Sequence, residues 1–297
     1  MIERLRVGLM LPLFSGNWDK VMSAAREAEE LGFDGVFAFD HLFRMGGRPD
    51  QPSIDAFATL AAVAAATSRI AVGTLVCRAG LRPAGMVAKM AATIQEISGG
   101  RMILGMGAGD DGNALEHRVF GFEGVPAADR HDHLTETVGA LSALFRGDAW
   151  EGGRLVGPIA GPLLPPPEPP VPIWVGGVSD RMVRIAARHA DAWNGWGLDP
   201  DRFAVKTAVL RREADGRPVE ATWAGIAVVG KDREEAASLL DARARDGRPV
   251  DVGGSPEEVA ATLRSYRATG ATWAVLLPAG PPGRRGVIAE HVLPALA

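Results

Sequence analysis

Apolar and polar positions along this chain switch repeatedly between two periods. Residues 5–11 are mostly apolar and read as a short strand, which Pro12 ends. After Asn17 or Asp19, either a suitable helix cap, Val21, Ala24, Ala25, Ala28 and Leu31 recur at helical spacing, and Gly32 suits the helix end. Val36, Phe37, Ala38 and Phe39 are apolar without interruption, as in a strand covered on both faces. The alternation continues with a helix over 53–67 opened by Ser53, a third strand over 70–76, and a helix over 83–98 with Pro83 in its first turn. A fourth strand, 102–106, runs into Gly107-Ala108-Gly109. Residues 129–145 are helical, with Leu134, Val138, Leu141 and Leu144 on one face.

Residues 148–171 break this rhythm. Gly152-Gly153, Gly157 and Pro165-Pro166-Pro167 exclude a helix and predict a small hairpin followed by a stiff proline segment. Strands then resume at 173–176, 192–196, 223–229 and 273–277. Helices are predicted over 179–189, 200–213, 233–245, 256–269 and 286–296. Eight strands with helices between them predict an α/β fold, a (β/α)8 TIM barrel, with a hairpin and proline-rich insertion before strand five. One domain over residues 1–297 is expected, with an excursion at 148–171. A doubly wound open sheet is the alternative, but it would carry a glycine fingerprint after strand one, where Pro12-Leu13-Phe14-Ser15-Gly16 stands.

Composition narrows the field further. The 297 residues are 47% apolar and 23% charged, with a net charge of −4 spread along the chain, so no nucleic-acid partner is indicated. The single cysteine, Cys77, excludes an internal disulfide and reads as a small apolar filler. Neither a signal-type segment nor a membrane span is present in the pattern, so a soluble cytoplasmic protein is expected.

A parallel barrel opens its active site at the carboxyl ends of its strands. There the sequence places Asp40-His41, a carboxylate and an imidazole able to orient a ligand or move a proton. A turn former and a packed histidine are the plainer reading of the same pair. Strand four ends in Gly107 to Asn113, a glycine-rich turn with Asp110 and Asp111, where small residues permit close approach of a planar ligand. Strand five ends in Gly176-Gly177-Val178-Ser179 at a helix start, which suits an anion or a plain helix cap. His131 and His133, two apart on a helix, diverge and make a poor metal pair; no metal is expected. His117 and His189 suit surface or packing roles, and Arg101, at the amino end of strand four, suits stability. Trp193 and Trp196 face opposite sides of strand six, so one of them is free to line a pocket.

Several fragments in order resemble the bacterial luciferase-like monooxygenase superfamily, particularly its coenzyme F420-dependent members. They are Leu31-Gly32-Phe33-Asp34-Gly35-Val36 leading to Asp40-His41, Gly73-Thr74-Leu75-Val76, Leu104 to Gly109, Glu116 to Gly121, Trp174 to Gly177, and Ala187 to Asn194. The resemblance implies a (β/α)8 barrel, a homodimer, and a deazaflavin or flavin at the strand ends. It implies that Asp40 contacts the deazaflavin and His41 faces the substrate. It further implies a bulge with a cis bond at Leu75–Val76 behind the ring. Ala108, Gly109 and Asn113 would hold the ring edge and side chain, and Gly176, Gly177, Val178 and Ser179 the phosphate. Asp110 matches a Glu that serves as an acid in the sugar-phosphate branch and is one methylene shorter. Met45 matches an aromatic residue of that branch, and the segment 42–52, with Arg44, Arg48 and Pro49, then shapes a different pocket. The function expected is F420-dependent hydride transfer to or from a small organic substrate, with His41 and Asp110 catalytic. Two alternatives stand beside it: an FMN-dependent monooxygenase and a cofactor-binding barrel without turnover.

Overall fold

The computed structural model describes residues 4–296 except 45, 47 and 48. Its strands are β1 (Arg6–Met10), β2 (Gly35–Ala38), β3 (Ala71–Arg78), β4 (Met102–Gly107), β5 (Ile173–Gly176), β6 (Ala192–Trp196), β7 (Glu220–Val229), β8 (Val252–Gly254) and β9 (Ala271–Pro278). The α-helices are α1 (Trp18–Glu30), α2 (Ala56–Ala66), α3 (Ala84–Ser98), α4 (Ala114–Val119), α5 (Arg130–Phe145), α6 (Asp180–His189), α7 (Pro200–Ala214), α8 (Arg233–Arg245), α9 (Pro256–Ala268) and α10 (Arg284–Val287). Strands β1 to β7 pair in sequence, β7 pairs with β9, and β9 pairs back to β1, all parallel. Eight strands therefore close a barrel with helices around it, the (β/α)8 architecture expected.

Several details differ from the sequence reading, among them the short helix α4, which it did not predict. The short β8 stands outside the ring against the end of β7, a three-residue strand too short to leave a periodic signal. The cap of α2 is Asp55, whose side chain accepts from the Ala58 amide at 2.8 Å, rather than Ser53. The tail is not one α-helix: α10 passes into a π turn over Ile288–Val292 and a 3-10 turn over Leu293–Leu296.

Two apolar layers follow from strand parity. Val36 and Ala38 belong to the large core between barrel and helices, whereas Phe37 and Phe39 face the barrel interior. The Phe37 ring stacks on Trp174 at 5.5 Å and meets Trp273 edge-on at 5.7 Å, plugging the barrel. Gly8, Gly35 and Gly73 make room for that ring, since a Cβ on each would lie 2.8–3.0 Å from it. Above this floor Phe39 stacks on Phe14 and leans on Trp196, both at 5.5 Å.

The 148–171 stretch contributes no rung to the barrel. Trp150 and Ile159 form an antiparallel bridge, and Trp150, Val156 and Ile159 pack with Ala84 and Ala140 of α3 and α5. Glu136 of α5 fastens it by accepting from the amides of Arg154, Leu155 and Val156 at 3.1, 2.7 and 2.7 Å. Arg101 holds the opposite end of the barrel, as its position suggested. Its guanidinium donates to the carbonyls of Ile70, Ala64 and Thr67 at 2.6–2.8 Å.

Candidate active site

A cavity of about 620 Å³ opens at the carboxyl ends of the strands. Phe39, Leu75, Val76 and Trp196 give it an apolar floor and back, while His41, Arg78, Asp110, Asn113, Glu116 and Asn194 bring polar groups to its wall. Trp196 lines it, and Trp193 faces the helix layer against Phe203, as three-residue spacing on a strand requires.

Strand β3 shapes the back. Between the pairs Thr74–Leu104 and Cys77–Met106, β3 advances three residues while β4 advances two, so one residue bulges. The Leu75–Val76 peptide bond is cis, at the bond the resemblance implied. Val76 lies against strands that carry glycine there: a Cβ on Gly107 or Gly176 would come within 2.5 or 2.8 Å of its side chain.

His41 is held by a residue 75 positions away. Its Nδ1 lies 2.7 Å from Glu116 Oε1, while Glu116 Oε2 accepts from the Leu42 amide at 2.9 Å and from Arg78 Nη2 at 2.6 Å. Burial pushes the Glu116 carboxyl up. The hydrogen bonds from His41 and Leu42 and the Arg78 charge outweigh it and hold the group below its ordinary value. An ionised carboxylate only accepts, so Nδ1 of His41 carries the hydrogen and Nε2 is the nitrogen left for chemistry.

Asp40 goes elsewhere. One residue from both Phe39 and His41, it points to the outer side of the strand, is 2% exposed and does not line the cavity. Both its oxygens accept from Arg82 Nη1, at 2.9 and 2.7 Å, and Arg82 Nη2 reaches the α2 cap Asp55 at 3.0 Å. Asp40, for which the resemblance implied a contact with a bound ring, here makes an ion pair tying β2 to the β3–α3 loop. The Cys77 thiol beneath is pushed well up by burial and then by the Asp40 charge, as befits a filler.

Of the remaining expected site residues, Leu75, Val76, Ala108, Gly109, Asp110, Asn113, Gly176 and Gly177 line the cavity. Asn113 closes the strand-four turn by accepting from the Asp110 amide at 2.9 Å, with Gly109 at φ 74°. Val178 and Ser179 do not line it; Ser179 caps α6 by accepting from the Met182 amide at 3.3 Å. Met45 and Arg48 lie outside the described residues. His131, read as structural, stands on the cavity wall. Arg78 was missed, and Glu116 was noticed only within a motif.

The profile of the luciferase-like monooxygenase family matches residues 5–251. The chain belongs to that family. Its relatives differ in cofactor. An uncharacterised protein of Mycobacterium tuberculosis is 34% identical over 168 residues, 55% of this chain and 56% of its own length. The chain thus spans little more than half of that relative. An F420-dependent glucose-6-phosphate dehydrogenase of Amycolatopsis mediterranei is 27% identical over 95% of both chains. Among solved structures, an F420-dependent secondary alcohol dehydrogenase superposes with TM-score 0.83 at 20% identity, covering 99% of this chain and all of the other. The EDTA monooxygenase of Chelativorans sp. BNC1 also gives 0.83, at 14% identity and 99% and 94% coverage. At such identities the superpositions establish the fold alone. No helix among the described residues is long and apolar enough to cross a membrane.

Proposed function

We propose that this protein is an F420-dependent oxidoreductase that transfers a hydride between the deazaflavin and a small organic substrate. The observation that carries this is His41, fixed by Glu116, facing a cavity with an apolar back and glycine-rich strand ends. The residues fit a flavin-type ring. The cavity has the size and the apolar lining with few polar groups typical of cofactor sites. Leu75 and Val76 would back the ring. Ala108, Gly109 and Asn113 would hold its edge, and Gly176 and Gly177, with the helix start at Val178 and Ser179, its phosphate.

When bound, F420 supplies or accepts the hydride. The chain supplies the rest. Phe39, Leu75, Val76 and Trp196 exclude water from the ring face. His41 Nε2 gives or takes the proton that balances the hydride, because Glu116 fixes the hydrogen on Nδ1. Asp110, on the same wall, is the second proton-carrying group.

The F420-dependent Amycolatopsis relative, aligned over nearly the whole chain, favours F420. An FMN-dependent monooxygenase is the second reading, favoured by the match to the luciferase-like monooxygenase family. Titration of the protein with F420 and with FMN decides between them; tighter FMN binding would overturn the proposal. The same reading extends to a cytoplasmic homodimer, checked by sedimentation of the purified protein.

A further inference from the structure

Asn194 precedes Trp196 by two residues on β6, on the same inner side, and lines the cavity although it is only 2% exposed. Its carboxamide is held in one orientation. The Thr222 hydroxyl, level with it on β7, has a single hydrogen and donates it to the Trp193 carbonyl at 3.0 Å. The hydroxyl oxygen is left to accept, and Asn194 Nδ2 donates to it at 2.9 Å. This turns Oδ1 away from Thr222. Oδ1 has no partner among the described residues, yet it is not one of the unpaired atoms sealed from solvent, so it opens on the cavity that Asn194 lines.

On its other flank Asn194 pairs with Gly176 of β5, and a Cβ on Gly176 would lie 2.8 Å from the Val76 side chain. The amide therefore stands level with a residue proposed to back the ring. Nearer the strand end, Trp196 leans on Phe39 at 5.5 Å, and in such apolar surroundings a hydrogen bond is stronger than in water. Asn113, the other buried amide on this wall, offers the opposite group. Its Oδ1 is taken by the Asp110 amide at 2.9 Å, which leaves Nδ2. A ligand that fills the β6 end of the cavity strips water from Asn194 Oδ1. It must then bring a donor of its own or leave a buried acceptor idle, which is costly.

We propose that Asn194 is a specificity residue whose Oδ1 accepts a hydrogen bond from a neutral N–H or O–H group of the ligand in the cavity. The residue selects for that donor, because Thr222 keeps the amide from turning its nitrogen inward instead. The donor belongs either to the cofactor ring, whose flavin and deazaflavin forms share an imide N–H, or to a hydroxyl of the substrate. Calling the ligand cofactor or substrate rests on the proposed oxidoreductase function; the selection for a donor does not. Two arms of one experiment separate the sources.

In the first arm, phenol and anisole, which differ by a methyl group on the donor oxygen, are titrated into the full chain by calorimetry. Wild type should prefer phenol by about tenfold, the scale of a buried acceptor left unpaired. Asn194→Leu removes the acceptor while the Thr222 hydroxyl keeps the Trp193 carbonyl, so no buried hydrogen is orphaned. It and the smaller Asn194→Ala should both abolish the preference, with melting curves as folding controls. In the second arm, F420 and FMN are titrated into wild type and Asn194→Leu. A cofactor loss of about tenfold places the donor on the ring. Loss of the phenol preference with unchanged cofactor affinity places it on the substrate. If wild type fails to prefer phenol, or the preference survives both substitutions, the proposal is overturned. If wild type binds neither cofactor, the proposed function fails, while the phenol arm still decides the role of Asn194.

Discussion

His41 and Asp40 are neighbours in sequence and strangers in structure. The alternation of β2 carries on past its end: Phe37 and Phe39 face the barrel interior and His41 the cavity, whereas Val36 and Ala38 join the outer core and Asp40 turns to Arg82. That division was legible from the alternation of the sequence alone. Glu116 and Arg78 were not legible in the same way. Glu116 reaches His41 across 75 residues, and Arg78 follows a bulge that resets the parity of β3. The roles now separate by substitution. His41→Ala should keep cofactor affinity and cost turnover about 10²–10⁴-fold, the usual contribution of an acid–base group; single-turnover hydride transfer measures it. Asp40→Ala should leave the half-buried Arg82 with Asp55 as its remaining partner and cost about 1–3 kcal/mol of stability, read from urea unfolding, with the folded protein still binding cofactor. A cofactor loss without a stability loss would restore Asp40 to the site. Glu116 links the site to pH. Its folded value is held below the ordinary 4.5, so it stabilises the native state above that value. This contribution is lost as pH falls through the folded value. Stability should therefore drop more steeply between about pH 5 and pH 3 in wild type than in Glu116→Gln.

At the scale of elements, most boundaries fell where periodicity and caps put them. Strands β5 and β6 and helix α8 match residue for residue, because Pro172, Gly177, Gly197, the cap Asp232 and Gly247 mark their ends. The α2 start was misread because Ser53 and Asp55 are both good caps, and only the Ala58 amide chooses between them. The start of α6 is the element-level test of the phosphate assignment. Gly177 is a poor probe, since its φ is 150° and a Cβ there would meet Met182 at 2.8 Å. Val178 is 41% exposed just before the cap and accepts a larger or charged side chain freely. A carboxylate there suits the helix dipole, so Val178→Asp should melt at the wild-type temperature. It should nonetheless weaken F420 or FMN binding by about tenfold, because it offers a like charge to the phosphate at the same helix start. Unchanged affinity would move the phosphate elsewhere on the rim.

For the whole molecule, the order of strands and helices was enough to name a closed barrel. The insertion was legible as a break but not as an attachment. Glycines and prolines announced that 148–171 leaves the ladder; nothing in its own composition says that Glu136, on the preceding helix, binds three of its amides. Burial pushes the Glu136 carboxyl up, yet those three amides hold it below its ordinary value, which marks them as the fastening. We propose that segment and barrel form one domain that unfolds together in wild type. Removing the acceptor should uncouple them. In Glu136→Ala the segment loses three hydrogen bonds to a charged group, and its open state gains population. Proteolysis of such open states follows their equilibrium population when closing is fast. Trypsin should then cut after Arg154 about tenfold faster than in wild type, with the barrel otherwise intact by circular dichroism. If the first cut in Glu136→Ala falls in another loop, or the barrel melts together with the segment, Glu136 is a determinant of the whole fold rather than a local clasp.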